Sequence, residues 1–158
     1  MYAIPPSKAV KDLLQGLLGR DVEVGPADPV LVGDLPGTAV AVYVDDSMQL
    51  SAVAGMDLTL AANVAAAIGL VPPGGAQACI EDRELSPMLA ENVTEVCNVL
   101  TTLFNRAGAP HLRLHQMYLP GQATPSDVAA RLLALGSRLD LAVAVTGYGA
   151  GRFSLSTA

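Results

Sequence analysis

The chain has 158 residues, of which 51% are hydrophobic and 15% charged. That is too apolar for a disordered segment, too poor in charge for a long coiled coil, and sufficient for a buried core. Nine Lys and Arg stand against fifteen Asp and Glu, a net charge of −6, with no basic patch of the kind a nucleic-acid binder carries. An uncharged stretch from Leu58 to Gly75 contains Asn63 and is interrupted by Pro72 and Pro73. A membrane span needs about 20 mostly apolar residues, so a buried helix is expected here and no membrane segment. Met1 to Ser7 holds two prolines and no apolar run behind a basic segment, so no signal peptide is expected. Cys79 and Cys97 are then read as reduced and buried, in a cytoplasmic protein.

Ser7 is placed to cap a first helix whose apolar side is Ala9, Val10, Leu13, Leu14, Leu17 and Leu18, with Gly19 ending it. Asp21 to Gly25 reads as a short strand, and Val30 to Val32 as another within a turn-rich stretch ending at Pro36. Thr38 to Val44 and Met48 to Ala54 form a hairpin across Asp45-Asp46-Ser47. Asp57 caps a helix to about Leu70 that is apolar nearly all round, hence buried on most sides or set in an interface. Pro72-Pro73-Gly74-Gly75 is a break. Ser86-Pro87 opens a third helix that runs to about Asn105 and is stopped by Gly108 and Pro110. His111 to Leu119 is a strand, followed by a turn at Pro120-Gly121. Thr124 or Ser126 caps a fourth helix ending at Gly136. Leu139 to Thr146 and Gly151 to Ser156 close the chain as a hairpin across Gly147-Tyr148-Gly149, where a turn is favoured over a phosphate loop. Strands in hairpins with separate helices point to an α+β fold with an antiparallel or mixed sheet.

On a helical wheel, Leu89, Val93, Val96, Leu100 and Leu103 form a core stripe on the third helix. Glu91, Glu95, Asn98, Thr102 and Asn105 form the opposite stripe with the same spacing. A solvated face is the ordinary reading of such a stripe. This one contains no Lys or Arg, and its two carboxylates one turn apart repel slightly instead of pairing. A carboxylate accepts from a cation, and a carboxamide both donates to and accepts from a water. Side by side they can hold a nucleophilic water in line without a covalent intermediate.

Glu95-Val96-Cys97-Asn98, with Pro120 after a spacer, resembles the signature of the CheC/CheX/FliY family of response-regulator phosphatases. That signature is Asp or Ser, three residues, Glu, two residues, Asn, and a Pro roughly twenty residues later. The resemblance spans roughly Gly37 to Leu155, and the order of elements around the motif is similar too. Glu91 stands where the signature has Asp or Ser, and Thr102 where a small residue is usual. The helix from Asp57 to Leu70 lacks a Glu, so the chain is most similar to single-motif CheX-like proteins. The resemblance implies a CheX/CheC-like α+β domain over residues 1–158, its first 36 residues adding a helix and short strands. It implies hydrolysis of the phosphoaspartate of a CheY-like receiver domain. Glu95 would pair with the receiver's Lys, Asn98 would orient the attacking water, and Glu91 and Thr102 would assist docking. Pro120 would shape a turn, with no chemical role. The receiver would supply Mg²⁺, this chain having no cofactor of its own, and two copies would form a homodimer through the sheet. The alternatives are a receiver-binding module of the same fold that hydrolyses nothing, and a stand-alone dimerising domain.

The remaining constellations read as structural. His111 and His115, four apart on a strand, are about 13 Å apart, too far to share a metal without a bend. Cys97 would need a nearby His and an electropositive setting to act as a nucleophile. Asp45-Asp46 and Glu81-Asp82 are turn or loop acids.

Overall fold

The computed structural model describes residues 3–105 and 109–158. Gly108, expected to help stop the third helix, lies outside them, as do Met1 and Tyr2 of the N-terminal segment. The elements are α1 (Ser7–Leu18), β1 (Val22–Pro26), β2 (Thr38–Val44), β3 (Leu50–Asp57), α2 (Leu58–Ile68), α3 (Pro73–Asp82), α4 (Pro87–Val99), β4 (Arg113–Tyr118), α5 (Ser126–Leu133), β5 (Arg138–Val145) and β6 (Gly149–Thr157). Two 3-10 segments, Val32–Gly37 and Leu100–Leu103, lead into β2 and continue α4.

All six strands form one sheet in the order β1-β5-β6-β3-β2-β4, and every pairing is antiparallel. The α+β expectation therefore holds, with the sheet antiparallel throughout. The inner strands β2 and β3 are covered on both faces, which explains why β2 reads as an unbroken apolar run. Ala39, Ala41 and Tyr43 of β2 join the main core with α1, α2 and α4. Val40, Val42 and Val44 pack on the other face with Val53 and with Val128 and Leu132 of α5. Small residues on the first side let α2 lie close to the sheet, and all residues from Leu60 to Ala67 are buried. The expected cap of α2 is present, the Asp57 carboxylate accepting from the Leu60 N–H at 2.9 Å.

Several boundaries differ from the expectations. Val30 to Val32 is no strand. Leu31 and Val32 are exposed, and the chain turns into a 3-10 segment containing Pro36, which has no N–H for a ladder. Ser7 is the first residue of α1 and makes no capping bond; Pro6 holds the N-cap position, while Gly19 ends the helix at φ 68° as expected. The Pro72 to Gly75 stretch breaks α2, yet it also starts α3. Pro73 occupies the first turn, where a missing N–H costs nothing. The β2–β3 turn extends to Gln49 because the Asp45 carboxylate accepts from the N–H groups of both Ser47 and Gln49. Neither Thr124 nor Ser126 caps α5, whose N-cap is Pro125. The helix ends at Leu133, three residues short of Gly136. Arg138 donates to the carbonyls of Leu132 and Ala134 there, and also pairs with Asp140 at 2.7 Å. No helix of the described residues is long and apolar enough to cross a membrane.

Candidate functional site

The polar stripe is carried by α4, and the helix is fixed from within. Ser86 accepts from the Leu89 N–H at 3.3 Å with Pro87 in the first turn, the cap read from sequence. The core stripe of Leu89, Val93, Val96, Leu100 and Leu103 is buried. Two hydrogen bonds reach the helix from its neighbours. Asn92 Nδ2 of α4 donates to the Ala65 carbonyl of α2 at 3.0 Å. The Tyr43 hydroxyl, from β2, donates to the Cys97 carbonyl at 2.6 Å. Burial pushes the Cys97 thiol up to about 12, so it holds no thiolate at neutral pH and is no nucleophile. Both cysteines are free and buried.

Glu91, Glu95, Asn98 and Thr102 are exposed, as the wheel required. An α-helix rises about 1.5 Å per residue, so Glu95 and Asn98 stand about 4.5 Å apart along the axis, and Glu91 about 6 Å further back. Among the described residues, the side chains of Glu91, Glu95 and Asn98 make no hydrogen bond or ion pair, while the Asn98 backbone carbonyl accepts from the Thr101 hydroxyl at 2.7 Å. Thr102 turns its hydroxyl to the Val99 carbonyl at 3.0 Å. Three acceptor groups and one amide donor thus face outward, with no cation of this chain among them.

Asn105, the fifth member of the stripe, is not part of this face. Its side chain donates to the Leu112 carbonyl at 3.0 Å and accepts the Leu112 N–H at 2.8 Å, closing the loop before β4. The cause is the change from α to 3-10 winding after Val99, which alters the phase of the residues that follow. The same bonds start β4 at Arg113 instead of His111, and at its other end the Leu119 N–H donates to Gln122 Oε1 at 2.8 Å, so the strand stops at Tyr118 instead of Leu119. Pro120 sits half-buried in the turn after β4, where the Gly121 N–H donates to the Pro36 carbonyl at 2.8 Å. It lines a cleft with Leu85 and Arg83, away from Asn98 in sequence and element. A second groove of about 370 Å³ runs beside Glu91, between Ala90 and Thr94 of α4 and Gln116 and Met117 of β4. Nothing in the sequence pattern announced it, since it lies between α4 and the edge strand β4, which only the tertiary fold brings together. His111 and His115 are both exposed, and no group of three His, Cys, Asp or Glu comes together among the described residues.

No protein-family model and no curated protein sequence matches the chain. Solved structures do match. The FliM middle domain of Vibrio alginolyticus superposes with a TM-score of 0.59 at 11% identity, over 94% of this chain and 86% of that one. A chain of the CheX–CheY–BeF3–Mg²⁺ complex from Borrelia burgdorferi gives 0.57 at 15% identity, over 94% and 92%. FliY of Thermotoga maritima gives 0.56 at 14% identity, over 94% and 82%. At such identities the likeness is one of fold, and the fold of this chain is the one shared by CheX, FliY and the FliM middle domain.

Proposed function

We propose that this chain docks on a CheY-like receiver domain through the Glu91–Glu95–Asn98 face and hydrolyses its phosphoaspartate. The observation that carries the reading is a Glu and an Asn three residues apart on a rigidly held helix, both exposed and neither used by the chain itself. The similarity in fold to a CheX chain from a complex with CheY supports it. Phosphoryl transfer is mostly positioning and charge stabilisation, so a face without a covalent nucleophile is adequate equipment. Glu95 accepts from the receiver's Lys and sets the docking angle. Asn98 presents its amide to a water and holds it in line with the phosphorus. Glu91 and Thr102 border the contact. Mg²⁺ is held by the receiver on this reading, which leaves Glu95 free to meet the receiver's Lys. On this reading two copies pair through the sheet, whose edge strands are β1 and β4, and sedimentation is expected to give a dimer mass; a monomer mass would refute the pairing.

A second reading, a docking module that hydrolyses nothing, is favoured by Glu91 standing where the signature has Asp or Ser. One experiment separates the two. Receivers phosphorylated with a small phosphodonor are mixed with the protein and with Asn98→Ala, and phosphoaspartate decay is followed. Acceleration by the wild type that vanishes in Asn98→Ala supports the phosphatase. Association with decay at the receiver's own rate supports the module. Acceleration retained by Asn98→Ala refutes the role given to Asn98.

A further inference from the structure

Leu70 is 83% exposed, more than any other large hydrophobic side chain among the described residues. Its backbone is left-handed, at φ 55°. It closes α2 in a Schellman arrangement, in which the Leu70 N–H donates to the Ala67 carbonyl at 3.2 Å and the Val71 N–H to the Ala66 carbonyl at 2.8 Å. Glycine is the usual occupant of that position, because an L side chain is crowded there. Arg83 ends α3 with the same geometry, at φ 56°. Arg83, however, is charged and suited to water. Leu70 combines a disfavoured backbone with an apolar side chain in solvent; Met48, at φ 63° and 50% exposed, does so too, but its sulfur accepts from Arg113.

Its location gives the residue a use. A Cβ on Gly69 would lie 2.4 Å from Asn92 Nδ2, so the end of α2 abuts α4 at Asn92. Asn92 follows Glu91 directly and precedes Glu95 by three residues. At 3.6 residues per turn, Asn92 is about 60° round the helix from Glu95. Leu70 therefore stands on the Glu95 flank of the free face. Met88, 53% exposed and one turn before Asn92, lies on the same flank. The corner is held in place, since the Tyr148 hydroxyl donates to the Val71 carbonyl and Pro72-Pro73 follow.

We propose that Leu70 is the apolar anchor of the receiver-docking surface. The occupant is a receiver that meets Glu95 with its cation and sets an apolar side chain on Leu70. The acidic, cation-free stripe beside Leu70 supplies the charge complementarity, and the inference rests on the receiver reading above.

The test measures binding of receivers activated with beryllofluoride and Mg²⁺ to the wild type, Leu70→Gly, Leu70→Asn and Glu95→Ala, with thermal melts of each. Both substitutions at Leu70 are residues that tolerate a left-handed backbone, so the fold is retained and the melting temperature holds or rises. Binding is expected to weaken about tenfold or more in both, as loss of a buried Leu contact requires. In turnover assays KM rises while kcat holds, since Leu70 touches no reacting atom. Unchanged affinity in Leu70→Gly, with affinity lost in Glu95→Ala, overturns the anchor and leaves the receiver reading standing. A wild type that binds no receiver of the source organism overturns both.

Discussion

At Gly151 of β6 the start of α2 presses closely on the sheet. A Cβ added there would lie 2.5 Å from Asp57 Oδ1, and 2.6 Å from both the Cβ and the backbone nitrogen of Leu60. Two of these atoms form the cap that starts α2, the 2.9 Å bond between the Leu60 N–H and the Asp57 carboxylate. The third contact is to backbone-bound carbon, so no flexible side chain can yield. Gly151→Ala must therefore move α2 or break the cap. Overpacking costs about 1–3 kcal/mol and a lost cap about 1 kcal/mol, so we expect about 3 kcal/mol. An unfolding entropy of about 2.1 cal/mol/K per residue amounts to about 0.33 kcal/mol/K for 158 residues, and the expected loss is about 9 °C in Tm. Calorimetric melts of Gly151→Ala, Asp57→Ala and the double variant test the reasoning. If the cap and the clash share one site, the double variant loses less than the sum of the singles. Gly16 is the internal control: it lies inside α1 with nothing within 4 Å of its would-be Cβ, so Gly16→Ala gains about 0.5–1 kcal/mol. A Gly151→Ala protein that melts within 2 °C of the wild type would refute the seating of α2 described above.

Asp140 is nearly buried against Arg138 and also accepts from Ser154 at 2.7 Å. Burial alone would raise its carboxyl, but the hydrogen bonds from Arg138 and Ser154 and the charge of Arg138 hold it below its usual value. Its stabilising contribution is therefore present above the unfolded carboxylate pKa of about 4 and is lost as pH falls through the lower folded value. Asp140→Asn should cost about 3 kcal/mol at neutral pH and flatten the acid limb of a Tm-against-pH curve; an unchanged limb would assign the acid sensitivity elsewhere. For Cys97, a Cys79→Ala protein should resist a thiol reagent at pH 8 and react once unfolded in guanidinium; free-cysteine rates in the folded protein would contradict its burial. Glu91 makes no contact that the fold uses, so Glu91→Ser should leave Tm within about 2 °C while changing phosphoaspartate decay or receiver affinity. A large drop in Tm would make Glu91 a structural residue.

How far the fold was legible depends on how local its causes are. Asp57 and Ser86-Pro87 start α2 and α4 as read, because a cap is decided within four residues. The β2 span was legible for the opposite reason: a strand covered on both faces is an uninterrupted apolar run. What failed was decided at a distance. The α5 helix stops early because Arg138, on the next strand, takes the carbonyls of Leu132 and Ala134. The α3 helix was hidden by its own composition, since Pro and Gly that mark a break within a helix are harmless or mildly costly in a first turn.

The candidate site follows the same division. Periodicity separated the inward from the outward residues of α4 because packing, which the pattern records, decides that side. It failed at Asn105 because a wheel assumes constant winding, and the helix tightens after Val99. It was silent on Leu70 because an exposed Leu is ordinary until its backbone angle and the close approach of the preceding Gly69 to Asn92 are known. The consequence for function is specific. With α4 held by its core stripe, by Asn92 on Ala65 and by Tyr43 on Cys97, none of its anchors lies on the Glu91–Glu95–Asn98 face. Among the described residues those three side chains make no bond that the fold uses, so substitutions at them should leave the fold intact, and any loss they cause tests the proposed docking face.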